Sequence, residues 1–290
     1  MTAYLLLFLM TFINTSSTAL TKKFQLQART DAENYLQANI CAGIVSCVLL
    51  FLMNGCKISE ISQVALVYAI IFGFLSTISI FLTAYVYSKT SLTLALIVGS
   101  AGSIVLPVVF GICFNGEDSS IRVLVSAVLI LVAAILPFIK KGTFKGGIKF
   151  LWVLILFFLV SGATGIVSKL YAQSNSGVDT ATYLILVNVF VILFSGLCGL
   201  GFLIKKKKDF VWINLKDVTN TALRTILSVA GMYISVTILV TMPISVYSVL
   251  ASALSLMLNA LSSRFLFKEK LTTSAKISFV LALASIIVAG

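Results

Sequence analysis

The chain has 290 residues, 60% of them hydrophobic and only 10% charged, with a formal net charge of +12 and a mean hydropathy of +1.12. Average soluble domains are about a quarter charged and a little under half apolar. This composition excludes a soluble enzyme, a disordered chain and a nucleic-acid binder, and it reads as a polytopic membrane protein.

A helix needs about 20 mostly apolar residues to cross the hydrocarbon core. In chain order, the stretches free of Asp, Glu, Lys and Arg are 1–21, 34–56, 61–88, 90–116, 123–139, 150–168, 180–204, 225–263 and 277–290. The first has no basic segment ahead of it and holds Asn14-Thr15-Ser16-Ser17-Thr18 near its centre, so it is a membrane helix rather than a signal peptide. Stretch 225–263 is long enough for two helices and carries Thr241-Met242-Pro243 near its middle. Proline extends the residue before it and suits a helix start, so the stretch divides there. The last stretch lengthens if Lys276 snorkels and the helix begins near Thr272. Its abrupt stop at Gly290 admits a truncated C-terminus. Ten spans result.

Orientation follows from the basic residues. Lys22, Lys23, Arg29, Lys89, Lys140, Lys141, Lys145, Lys149, Lys205, Lys206, Lys207, Lys208, Lys216, Arg224, Arg264, Lys268, Lys270 and Lys276 belong to the odd-numbered loops and adjoining helix ends, which is 18 of the 21. Only Lys57, Arg122 and Lys169 are on the other side. The positive-inside rule then places the odd loops in the cytoplasm of a cell bounded by a plasma membrane, expected to be bacterial, with both termini outside. The same bias accounts for the net charge without nucleic acid. The run Lys205 to Lys208, with Phe210 and Trp212, suits anionic lipid headgroups. The five cysteines lack a Cys-x-x-Cys spacing and the chain has no histidine, so no metal or other cofactor is expected.

The two halves resemble each other. An offset of 152 sets Ser100 on Ser252, Ser103 on Ser255, Glu117 on Glu269, Ser76 on Ser228 and Thr83 on Ser235. In the first and sixth helices an offset of 147 sets Asn14 on Ser161, Ser17 on Thr164 and Lys22 on Lys169. Each half has five spans, an odd number, so the second is inverted relative to the first. The expected fold is an all-α integral membrane protein of ten transmembrane helices as two inverted five-helix repeats, 1–139 and 150–290, joined by a basic linker at 140–149. Such repeats are a recurrent plan of secondary transporters, with substrate held near the midplane.

In the second half Pro243 opens the ninth helix and Phe267-Lys268-Glu269-Lys270-Leu271-Thr272 follows it; Pro107 and Glu117 hold similar places in the first. With the five-plus-five plan, these features resemble the EamA-like family of the drug/metabolite transporter superfamily over nearly the whole chain. The sequence departs from that pattern at Asn259, where the first half has Pro107, and in its charge-derived orientation. The resemblance implies transport of a small metabolite and leaves the substrate open.

Polar residues three and four apart share a helix face, and in lipid they turn toward the bundle interior or a wet cavity. On that basis Asn14, Ser17, Thr83, Ser100, Ser103, Ser161, Thr164, Tyr247, Ser252, Ser255 and Asn259 are the candidate substrate-cavity residues. The competing reading is that small-residue stripes are packing seams, which suits Gly99-x-x-x-Ser103 and Ala251-x-x-x-Ser255. Lys22 and Lys169 either snorkel or meet an anion at a pathway mouth, and Glu117 and Glu269 cap or pair at helix ends. No carboxylate falls inside a span, which disfavours proton-driven export of cations. No phosphate-binding glycine loop is present, which disfavours ATP-driven transport.

The leading expectation is a secondary transporter of a neutral, zwitterionic or anionic metabolite, with the metabolite, membrane lipid and optionally a second copy in a homodimer as partners. An intramembrane enzyme lacks convergent acid–base groups. A scaffold or lipid-handling protein, working through its basic face, is the alternative.

Overall fold

A computed structural model describes residues 2–25, 32–89, 92–117, 121–135, 148–174, 176–206, 213–265 and 273–289. Among them are ten helices and no strand: α1 (Thr2–Gln25), α2 (Ala32–Met53), α3 (Gln63–Lys89), α4 (Leu92–Cys113), α5 (Ile121–Ile135), α6 (Ile148–Gln173), α7 (Thr180–Lys206), α8 (Leu215–Thr241), α9 (Ile244–Phe265) and α10 (Thr273–Ala289). Six contain stretches long and apolar enough to cross a membrane, in α2, α3, α6, α7, α8 and α9. Among the described residues the apolar stretches of the other four are shorter, such as Ala101–Cys113 and Ile121–Ala133. Large apolar side chains including Leu5, Phe12, Trp152, Leu197 and Ile287 point outward. In water such a surface would aggregate; it fits a multi-pass membrane protein.

The division at Pro243 is where the sequence places it. Met242 is extended, with φ −107 and ψ 137, as a residue before proline prefers. Its N–H still reaches the Ile238 carbonyl, while the Tyr247 N–H starts the next helix on the Pro243 carbonyl. A two-residue break therefore separates α8 from α9 without losing the pairing of either helix.

Packing joins the chain's two halves. α2 lies against α7 and α8, α4 against α6 and α9, α1 against α8 and α9, α5 against α10, and α3 against α6 and α7. One apolar core gathers Leu50, Ala65, Tyr183, Val187, Val229 and Val236 from α2, α3, α7 and α8. Another gathers Ile104, Val108, Ile130, Val249, Ala253 and Ala282 from α4, α5, α9 and α10. α1 closes the gap between them through Leu7 and Met10 on Ile238, Met242 and Leu250.

Glycines set the closest approaches. A Cβ added at Gly102 would lie 2.1 Å from the Phe158 carbonyl oxygen, and one at Gly162 would lie 2.5 Å from the Gly102 carbonyl oxygen. The α4–α6 seam is thus backbone against backbone, the small-residue packing available in lipid.

The even-numbered loops are held by a second device. The Asp179 carboxylate caps α7, accepting from the Thr182 N–H at 2.7 Å and the Thr182 hydroxyl at 2.8 Å. Asn54, beyond α2, donates to the same carboxylate at 3.3 Å. Burial alone would push the Asp179 carboxyl up, but hydrogen bonds from Thr182, Ser59 and Asn54 outweigh it and hold it below the ordinary value of 3.8. The carboxyl therefore binds its proton more weakly folded than unfolded. Its contribution is complete above about pH 4 and fades as pH falls through the lower folded value. Asp179→Ala is expected to cost about 1–2 kcal/mol, as lost N-caps do, and the cost should shrink in thermal melts run at progressively more acid pH.

Candidate functional site

Two polar features occupy helix seams, the first of them open to the surface at Ser228. The first runs along the seam of α1 with α8 and α9. The Ser17 hydroxyl is 2.9 Å from that of Ser228 and donates to the Arg224 carbonyl at 3.2 Å. Nearer the start of α1, the Asn14 amide lies over Gly231, where an added Cβ would come within 2.2 Å of Asn14 Oδ1. Nearer still, the Tyr247 hydroxyl bonds to Ser235 and points to the Met10 sulfur at 3.4 Å. Met10, Asn14 and Ser17 recur every three to four residues on α1, and Arg224, Ser228, Gly231 and Ser235 do so on α8. The two stripes meet as a continuous polar ladder.

The second feature is the α8–α9 break, where charges of both signs converge. Lys169, on the last turns of α6, is 4% exposed. Its ammonium donates to the carbonyls of Leu239 at 2.9 Å and Met242 at 2.8 Å, the end of α8. Glu117, beyond α4, accepts from the N–H groups of Ile244 at 2.8 Å and Ser245 at 3.1 Å and from the Ser245 hydroxyl at 2.6 Å, the start of α9. Asn115 adds a bond at 3.0 Å. A cation therefore sits on the negative end of one helix dipole and an anion on the positive end of the next. The two charges are also near enough to interact. Burial alone would push the Glu117 carboxyl up; the bonds from Ser245, Ile244 and Asn115 outweigh that and hold it below the ordinary 4.5. It is ionised at neutral pH.

The structure separates the sequence candidates. Asn14, Ser17 and Tyr247 come together on the ladder. Ser161 and Thr164 sit on α6, their hydroxyls donating to the Phe157 and Ser161 carbonyls of their own helix, with Ser161 beside Gly99. Ser103, Ser252 and Ser255 are half-buried on α4 and α9, while Asn259 is exposed and stands apart from the ladder. Lys169, expected to snorkel or to meet an anion at a pathway mouth, is buried rather than snorkelling, and two helix-end carbonyls hold its ammonium. The side chains of Lys22, Thr83, Ser100, Lys205 and Lys206, and the whole of Lys207, Lys208 and Glu269, lie outside the described residues.

Ser228, Ser235 and Gly231 on α8, and the pairing of Glu117 with Ser245, are absent from the sequence candidates. The serines of α8 do carry a signal, since they continue a polar stripe; the role of Gly231 shows only once α1 is in place. Hydroxyl stripes mislead because serine and threonine in helices readily bond the carbonyl four residues back, as Thr11, Thr77, Thr225 and Ser248 do here. A polar face does not by itself call for a ligand. No group of His, Cys, Asp and Glu suited to a metal occurs among the described residues.

No protein-family model matches this chain. No curated protein matches it either. Among 29 solved chains that do match is one described as "Crystal structure of protein", with a TM-score of 0.77 and 16% identity over 99% of this chain and 96% of that one. At that identity the likeness establishes the fold alone.

Proposed function

We propose that this chain is a secondary transporter that moves a small neutral, zwitterionic or anionic metabolite by alternating access between two inverted repeats, 1–139 and 150–290, on an EamA-like plan. The observation that carries this reading is the register of the helices. α3 spans Gln63–Lys89 and α8 spans Leu215–Thr241, and both bounds differ by 152. α4 (Leu92–Cys113) and α9 (Ile244–Phe265) differ by 152 at both ends as well, and the start of α5 precedes that of α10 by the same number. That is the offset at which the serines and Glu117 align in the sequence. Packing supports the same plan: α1 on α8 answers α6 on α3, α4 on α6 answers α9 on α1, and α2–α7, α4–α9 and α5–α10 join counterparts.

Two similar halves of opposite orientation have a mechanical consequence. Exchanging the conformations of the halves turns a site open to one side into the same site open to the other, as alternating access requires. The polar ladder, with Asn14 at its middle, is where a solute would exchange hydrogen bonds with the chain.

The test combines a metabolite library grouped by charge with flux into proteoliposomes. A ligand at a hundred times its Kd stabilises the folded state by about 2.7 kcal/mol. One chemical class is expected to raise the unfolding midpoint and to be transported. Asn14→Leu, which keeps bulk but no amide, is expected to abolish both while the protein still inserts. A library that neither shifts the midpoint nor moves across the bilayer rejects the reading.

A further inference from the structure

Arg224 carries a permanent positive charge into a membrane span. By sequence it counts with the loops and adjoining helix ends, but α8 starts at Leu215, nine residues earlier, which is about 13.5 Å along the helix axis. It shares the face of Ser228, Gly231 and Ser235, and its carbonyl accepts from the Ser17 hydroxyl of α1. The outward face of α8 is a different one, marked by Leu223 and Ile226 at 54% and 48% exposure. Ser228 is nonetheless exposed and Arg224 half-buried. Surface that opens on the polar face, away from the lipid-facing one, is a cleft between helices.

In that cleft the guanidinium has no carboxylate and no hydrogen-bond partner among the described residues. Asp217, the one carboxylate of α8, is two turns away. The groups near enough to feel the charge are the Tyr35 hydroxyl and the Cys41 thiol of α2. That hydroxyl and the Asn14 amide are likewise without a hydrogen bond among the described residues. The guanidinium nitrogens are not sealed in, as the Thr15 and Tyr183 oxygens are. An arginine in a protein does not shed its proton, and an ionised group inside a span is costly and marks a solute or ion path. From Arg224 to Gly231, over which Asn14 lies, is seven residues, about 10 Å. A small metabolite can lie along that length.

We infer that Arg224 is the anion-recognition residue of the pathway. Its planar fork takes the carboxylate or phosphate of a small organic anion at the cleft of α1, α2 and α8. Tyr35 stands beside that group, and Asn14 with the Ser17–Ser228 pair holds the polar remainder. The inference rests on the transport reading and narrows its substrate class to solutes that carry an oxyanion.

The test keeps Cys41 as the reporter in full-length protein in phosphatidylcholine nanodiscs, with Cys47, Cys56, Cys113 and Cys198 replaced by serine. Anionic and cationic methanethiosulfonates of similar size are compared. The anionic reagent is expected to label faster. Arg224→Gln is expected to lower the anionic-to-cationic rate ratio about tenfold, the scale of one charge acting across a half-wet site. Acetate or inorganic phosphate, against chloride at equal ionic strength, is expected to slow labelling by neutral N-ethylmaleimide in the parent and not in Arg224→Gln. Should Arg224→Gln fail to fold, Arg224→Lys replaces it; lysine keeps the charge and loses the fork, so the ratio stays and the protection weakens. A Cys41 that no reagent reaches, a ratio unmoved by Arg224→Gln, no protection in the parent, or protection undiminished in either variant overturns the inference. So does protection that appears only when phosphatidylglycerol enters the nanodisc, which assigns the cleft to a lipid headgroup. Labelling needs no flux, so the two readings separate. An Arg224-dependent ratio and protection without transport of any class rejects transport, whereas flux of a neutral solute untouched by Arg224→Gln rejects the oxyanion site alone.

Discussion

Lys169→Met is expected to lower stability by about 2–4 kcal/mol, read as a fall in the unfolding midpoint of the detergent-purified protein. Methionine has nearly the length of lysine and is flexible, so the change removes the ammonium without leaving a hole. The carbonyls of Leu239 and Met242 then lose their donor at a buried site, and each unsatisfied buried group costs about 1–3 kcal/mol. The Glu117 charge also loses its opposite. Against this, burying an ammonium is itself unfavourable, so the net loss stays below the simple total. An unchanged midpoint would mean that the end of α8 is satisfied without Lys169.

The second large effect is steric. Gly102→Ala puts a methyl group 2.1 Å from the Phe158 carbonyl oxygen, which is backbone and has no rotamer to change. α4 and α6 must part, at a cost of about 1–3 kcal/mol for overpacking, or more. Gly165→Ala is the control on the same seam, because its nearest neighbour, Pro107 Cγ, would lie at 3.7 Å, an ordinary contact. In a helix interior alanine is favoured over glycine by about 0.5–1 kcal/mol. The two substitutions should therefore move the midpoint in opposite directions. A fall of the same size in both would show that the seam does not depend on the Gly102 contact.

Much of the architecture was legible in the chain. The apolar stretches anticipate the helices because a span is a local property: some twenty residues either avoid charge or do not. The split at Pro243 is local too, since a proline lacks an N–H and extends its predecessor. Glu117 was expected to cap or pair at a helix end and does cap one, but that helix is α9, far along the chain, rather than a neighbour in sequence. Asn14 and Ser17 earned their places as polar residues too large or too regular to ignore; Asn259 met the same criterion and lies exposed. One helix's periodicity says which residues share a face, not which helix that face meets.

The sequence alone therefore determined that the chain is helical and suited to a membrane and where its helices break, both consequences of composition over a few turns. Only the tertiary structure decided what those helices do to one another. The Lys169 ammonium reaches carbonyls 70 and 73 residues away, and Ser17 meets Ser228 across 211. Contacts of that kind depend on how faces pair in three dimensions. A hydroxyl stripe is no guide to them, because a serine satisfied by its own helix and one bonded to a neighbour look the same in sequence.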